Sequence, residues 1–168
     1  YNPLDNGTPV YSNDASLLFP THVLDLDYTA ITGDALWLTT ANGGAFVTAV
    51  ATEDDTFVTF YPPAGVPMYP GNNVAVLNRG ESYTMMSNAV AAVWQENFGQ
   101  GNLSGLRIES DKPVAVFSGN VCSWEPTPHT DCCCDHLEHQ MLPLVAWGQG
   151  YLVSTAPPAS ASQDDDVR

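Results

Sequence analysis

The apolar residues of this chain recur with a period near two. They come in short runs broken by clusters of Gly, Pro, Asp and Asn, almost never with a sustained helical spacing. Residues i and i+2 share one face of a strand, so this alternation commits the chain to half-buried β-structure. Ala45 to Thr52 and Thr56 to Tyr61 are two such runs around the acidic Glu53-Asp54-Asp55, and they read as a hairpin. The same strand-turn-strand grammar recurs in Val74 to Leu77, Asn78-Arg79-Gly80-Glu81 and Ser82 to Met86. It recurs again in Gly105 to Glu109, Ser110-Asp111-Lys112-Pro113 and Val114 to Ser118, with Pro113 at a strand start. Thr21 to Leu26, Ala35 to Ala41 and Gly150 to Ser154 are further strands. The expected fold is all-β, an antiparallel β-sandwich-like module with short helical or irregular pieces around 88–96 and 135–142.

The 168 residues, 44% of them hydrophobic, suffice for one core. Nineteen acidic side chains against four basic ones give a net charge of -15, which excludes nucleic acid as a partner because too few cations exist to neutralise phosphates. No apolar run is long enough for a membrane-spanning helix. Residues 1–44 read as an N-terminal β segment packing on a main module at 45–155. Residues 156–168 read as a loop and acidic tail leading into a further strand of a longer parent chain. The chain starts at Tyr1 without a leader and reads as a processed piece. Four cysteines, few lysines and glycosylation sequons at Asn6 and Asn102 point to an extracellular or cell-surface setting.

All four cysteines and three of the four histidines fall between Cys122 and His139. If the thiols are oxidised, adjacent Cα atoms ~3.8 Å apart make a bond between neighbours strained. One relaxed bridge from Cys122 to a member of the triplet Cys132-Cys133-Cys134 is then favoured, the other two sulfurs forming an intermolecular or vicinal bond. Alternatively, thiolates and imidazoles hold zinc, with His136 and His139 meeting on one helical face and His129 and a cysteine completing a tetrahedron. Neither C-x-x-C nor H-E-x-x-H occurs. Calcium is a further cofactor for an oxygen-rich cluster such as Glu53, Asp54 and Asp55, or Asp25 and Asp27 on one strand face.

No catalytic residue is assigned. Ser118 lacks the preceding glycine of a nucleophile elbow, and Asn42-Gly43-Gly44 is a turn rather than a phosphate loop. A glycan-processing pair of carboxylates is the third functional class after a structural module and a metal-binding one. Trp37, Trp94, Trp124 and Trp147 read as core or sheet-packing residues, and any that prove exposed offer a platform for glycans.

Three segments carry a resemblance. Val76 to Tyr83 contains a Gly-Glu turn, Leu103 to Asn120 contains Ser-Asp-Lys-Pro-Val-Ala-Val-Phe-Ser-Gly, and Cys134-Asp135-His136-Leu137 is followed by Trp147-Gly148. In order and spacing over 45–155 they resemble the N-terminal domain of the IgG-Fc-binding protein family. The resemblance implies a secreted, β-rich, non-enzymatic module of large extracellular proteins. The expected partners are self or other extracellular chains, and glycans. The resemblance also implies a disulfide between Cys122 and Cys134 and leaves Cys132 and Cys133 as extras. His139 stands where the family more often carries Glu. The family name describes one member, and Fc binding is not part of what is implied here. The expected function is structural or adhesive, as one unit of a fibre, matrix or cell-surface glycoprotein. Asp135 and His136 would order the returning segment by hydrogen bonding.

Overall fold

The computed structural model describes residues 4–5, 8–9, 14–33, 36–38, 41–87, 101–123 and 135–152. Its strands are β1 (Leu4–Asp5), β2 (Thr8–Pro9), β3 (Asp25–Thr29), β4 (Leu36–Leu38), β5 (Ala41–Gly43), β6 (Ala45–Ala51), β7 (Thr56–Tyr61), β8 (Met68–Tyr69), β9 (Val74–Leu77), β10 (Ser82–Ser87), β11 (Arg107–Ser123) and β12 (Asp135–Gln140). Eight of them form one antiparallel sheet, in the order β8-β10-β6-β11-β7-β9, with β12 and β3 also on β11. β1 pairs with β2 and β4 with β5 in two small ribbons. The all-β expectation holds, and the two packed layers are halves of a single curled sheet.

The curl explains three turn signals at once. β6 and β7 do not pair with each other; both lie antiparallel along β11, Ala51 opposite Val114 and then Val58 opposite Ser110. The chain from Ala45 to Tyr61 therefore keeps its direction, and Thr52 to Asp55 is a bend rather than a hairpin turn. β9 and β10 follow one another in the same way, Leu77 opposite Thr56 and Ser82 opposite Val50. β11 passes unbroken through Ser110 to Pro113, where its register against β3 shifts. Three adjacent two-part strands thus bend along one seam, made of 52–55, 78–81 and 110–113. Orthogonal sheet packings turn corners through such bends.

Strand parity then fills the interior. Val58, Phe60, Leu77 and Ile108 face inward from one side of the seam, and Val47, Ala49, Met85, Val114 and Val116 from the other, all buried. The rings of Phe60 and Tyr83 meet across the halves with centroids 5.7 Å apart. Each large side chain withdrawn from water contributes roughly 1.5–3 kcal/mol.

Tyr28 on β3 is wholly buried; its hydroxyl donates to the Val114 carbonyl at 2.7 Å and accepts from the Asp25 amide at 2.9 Å. Burial pushes its ionisation above the usual value of 10, and the Asp25 amide opposes that in part. The folded state favours the neutral phenol, so this contribution is complete below pH 10 and lost as pH climbs past the raised value. Tyr28→Phe is expected to cost about 1–3 kcal/mol at neutral pH. Its melting temperature should also fall less steeply than the wild type's in alkali, a difference that thermal denaturation at stepped pH measures.

Several segments differ from the sequence expectations. The piece around 135–142 is not helical: residues 135–140 form β12, because a long neighbour, β11, offers them a ladder from Phe117 to Ser123. Thr21–Val23 is a 3-10 turn, and the strand begins at Asp25. Ala35 to Ala41 divides into β4 and the start of β5. No strand begins at Gly150, Tyr151 or Leu152. The 88–96 piece and the 156–168 tail lie outside the described residues.

Candidate functional site

At the seam, the residues Asn78 to Glu81 and Ser110 to Pro113 are spent on fastening main chain. The Lys112 ammonium donates to the carbonyls of Asp54 (2.5 Å) and Asp55 (3.2 Å), while Asp111 accepts the Phe57 amide at 2.8 Å. Asp54 accepts the Arg79 amide at 3.0 Å, Glu81 accepts the Asn78 amide at 2.7 Å, and the Thr52 hydroxyl donates to the Pro113 carbonyl at 2.5 Å. Asp55 adopts φ 53° and Gly80 φ 84°, the left-handed conformations such bends need. Glu53, Asp54 and Asp55 are exposed, and a lysine occupies two of the carbonyls that calcium would use. Among the described residues, no three His, Cys, Asp or Glu side chains gather as a metal site.

A second polar cluster holds residues 31–33, each through one side chain that serves both its amide and its carbonyl. Ser118 Oγ accepts from Ile31 N at 3.4 Å and donates to its carbonyl at 2.7 Å. Ser104 Oγ treats Thr32 likewise, at 3.0 and 2.9 Å. Asn120 accepts from Gly33 N at 2.6 Å and donates to Gly33 O at 3.1 Å. The Asn102 sequon belongs to this cluster: its Oδ1 accepts from the Thr32 hydroxyl and the Ser104 amide, and Leu103 between them is fully buried. Ser118 is thereby a backbone anchor, as the failure of the nucleophile template foreshadows.

On β12, strand parity sends His136 inward and leaves His139 exposed, so the two do not share the helical face a zinc reading assumed. His136 stacks on Phe46 (5.8 Å between centroids, 14° between planes), and its Nε2 lies 3.5 Å from Glu138 Oε2. His139 Nδ1 lies 3.3 Å from Ser16 Oγ. Asn6, His129, Cys132, Cys133 and Cys134, with Trp94 and Trp124, lie outside the described residues. Cys122, Asp135 and Trp37 are described in their backbone alone.

On the outer face, Arg107 grips Asp27 through two hydrogen bonds (3.0 and 2.7 Å) and reaches Glu109 at 2.7 Å, while Tyr61 donates to Glu109 at 2.8 Å. The Arg107 hydrogen bond holds the Asp27 carboxyl below the usual carboxylate range, and the bond to Glu109 raises the Tyr61 hydroxyl. These groups satisfy one another across strands. Trp147 is a correction to the core reading: it is 44% exposed and donates to the Leu142 carbonyl. Composition gave no signal for the Asn120 anchor or the Asp27–Arg107 pair, because both depend on strand register.

The family described as IgGFc binding protein matches residues 14–168. The human (Homo sapiens) IgGFc-binding protein is 42% identical over 64 residues, 38% of this chain and 1% of that protein's length. No solved structure matches.

Proposed function

Because this chain belongs to the IgGFc-binding protein family, we propose that it works as a non-enzymatic extracellular module that holds and joins chains in a fibre, matrix or cell-surface glycoprotein. The observation that carries this reading is the use made of the motif residues. Asp111 and Lys112 bond backbone across the seam, Glu81 bonds backbone within its own turn, the Arg79 amide is held by Asp54, and Ser118 and Asn120 hold the backbone of residues 31–33 that follows β3. A surface of net charge -15 keeps such a module soluble and limits indiscriminate contact. Among the described residues no helix is long and apolar enough to cross a membrane.

Cysteine chemistry completes the proposal. β11 and β12 are paired as far as Ser123 and Asp135, the sequence neighbours of Cys122 and Cys134. This supports a Cys122–Cys134 staple, worth ~3 kcal/mol by loop closure, with Cys132 and Cys133 joining a second chain or each other. Intact mass before and after reduction tests it. A covalent multimer, or a monomer lighter by four hydrogens than its reduced form, is expected, and four thiols that alkylate without denaturant would overturn the scheme. The same spectrum reads glycan mass at Asn6 and Asn102, and elemental analysis for calcium or zinc tests the metal-binding alternative.

A further inference from the structure

Among the described residues, the outer edge of β12 is closed by side chains rather than by a strand. Met141 N donates to the Val116 carbonyl, and Phe117 lies opposite Gln140 with Gly119 opposite Glu138. In an antiparallel ladder this alternation turns the amides of Glu138 and Gln140 away from β11. Glu138 N instead donates to the Asp14 carboxylate and Gln140 N to Ser16 Oγ at 2.8 Å. Asp14 and Ser16, two residues apart, thus supply the acceptors that carbonyls of a neighbouring strand would supply. Phe19 N donates to the Gln140 carboxamide at 2.7 Å and ties down the far end. Leu17 and Leu18 stay 73% and 68% exposed, so the segment rests on polar contacts with little apolar burial.

We propose that residues 14–19 are an edge guard, and that a second copy of this chain is the partner they exclude, through antiparallel β12-to-β12 pairing. The register favours a copy. The two outward amides flank His139 symmetrically, so a two-fold axis there sets Glu138 of one chain opposite Gln140 of the other, and no carboxylate faces its own image. Unguarded edges of this kind extend sheets between chains.

The test compares the whole chain with Asp14→Ala/Ser16→Ala, by light scattering over rising protein concentration and by hydrogen exchange at Glu138 and Gln140. In the dilute double variant, exchange at those two amides should quicken roughly tenfold or more. At higher concentration a dimer should form with protection restored. Adding Glu138→Pro, which removes an outward donor but no bond to β11, should return the variant to a monomer. Unchanged protection in the double variant would overturn the guard. Exposed amides on a protein that stays monomeric would overturn the second copy as partner.

Discussion

Gly119→Ala is expected to cost roughly 3 kcal/mol or more, the top of the range for overpacking, and to lower the melting temperature by ~6–12 °C. A Cβ on Gly119 would lie 1.8 Å from the Leu137 carbonyl oxygen, 2.6 Å from its carbon and 2.9 Å from Glu138 Cα. Those atoms are main chain of β12, so no rotamer change makes room; the ladder between β11 and β12 must separate. Gly119 also pairs with Phe46 on β6, so β11 cannot retreat either. Gly71→Ala, at a position with nothing within 4 Å, is the matched control and should stay within about 0.5 kcal/mol of wild type. Circular dichroism melts decide it: a Gly119→Ala protein melting within ~2 °C of wild type would show that β12 shifts without loss.

Asn120→Ala ranks second, at about 2–4 kcal/mol. Asn120 is fully buried and is bonded to both main-chain groups of Gly33, itself buried; truncation orphans a donor and an acceptor where water does not replace them, at ~1–3 kcal/mol each. Ser118→Ala removes the same kind of double contact from Ile31, but Ile31 is 47% exposed and water can take over. About 1 kcal/mol is expected there. Asn120→Asp should hurt as much as Asn120→Ala, because it keeps the acceptor but turns a carboxylate toward the Gly33 carbonyl. Urea denaturation of the three variants measures the order, and equal losses at 118 and 120 would refute the role given to burial.

The turn chemistry was legible in the residues, but its meaning was not. Glu53-Asp54-Asp55, Asn78-Arg79-Gly80-Glu81 and Ser110-Asp111-Lys112-Pro113 each carry residues that break a ladder, and a break serves a bend as well as a reversal. Only pairing to a third strand tells them apart, and Ala51 opposite Val114 followed by Val58 opposite Ser110 is such information. The same holds for 135–142. His136 and His139 at a spacing of three suit a helix in isolation, yet a ladder waiting on β11 overrides that preference. Asp14 and Ser16 gave no signal at all, since what they cap lies more than a hundred residues away.

From the residues alone follow the all-β class, the period-two alternation of its strands, and the likeness to a family of extracellular modules. These rest on local alternation and short motifs, which a linear chain displays. Whether the chain reverses or bends at three turn-like segments, which amide each buried side chain anchors, and how the β12 edge is closed were settled by tertiary structure. Each depends on which distant segments become neighbours, and that is decided by burying both halves of the sheet against each other at once.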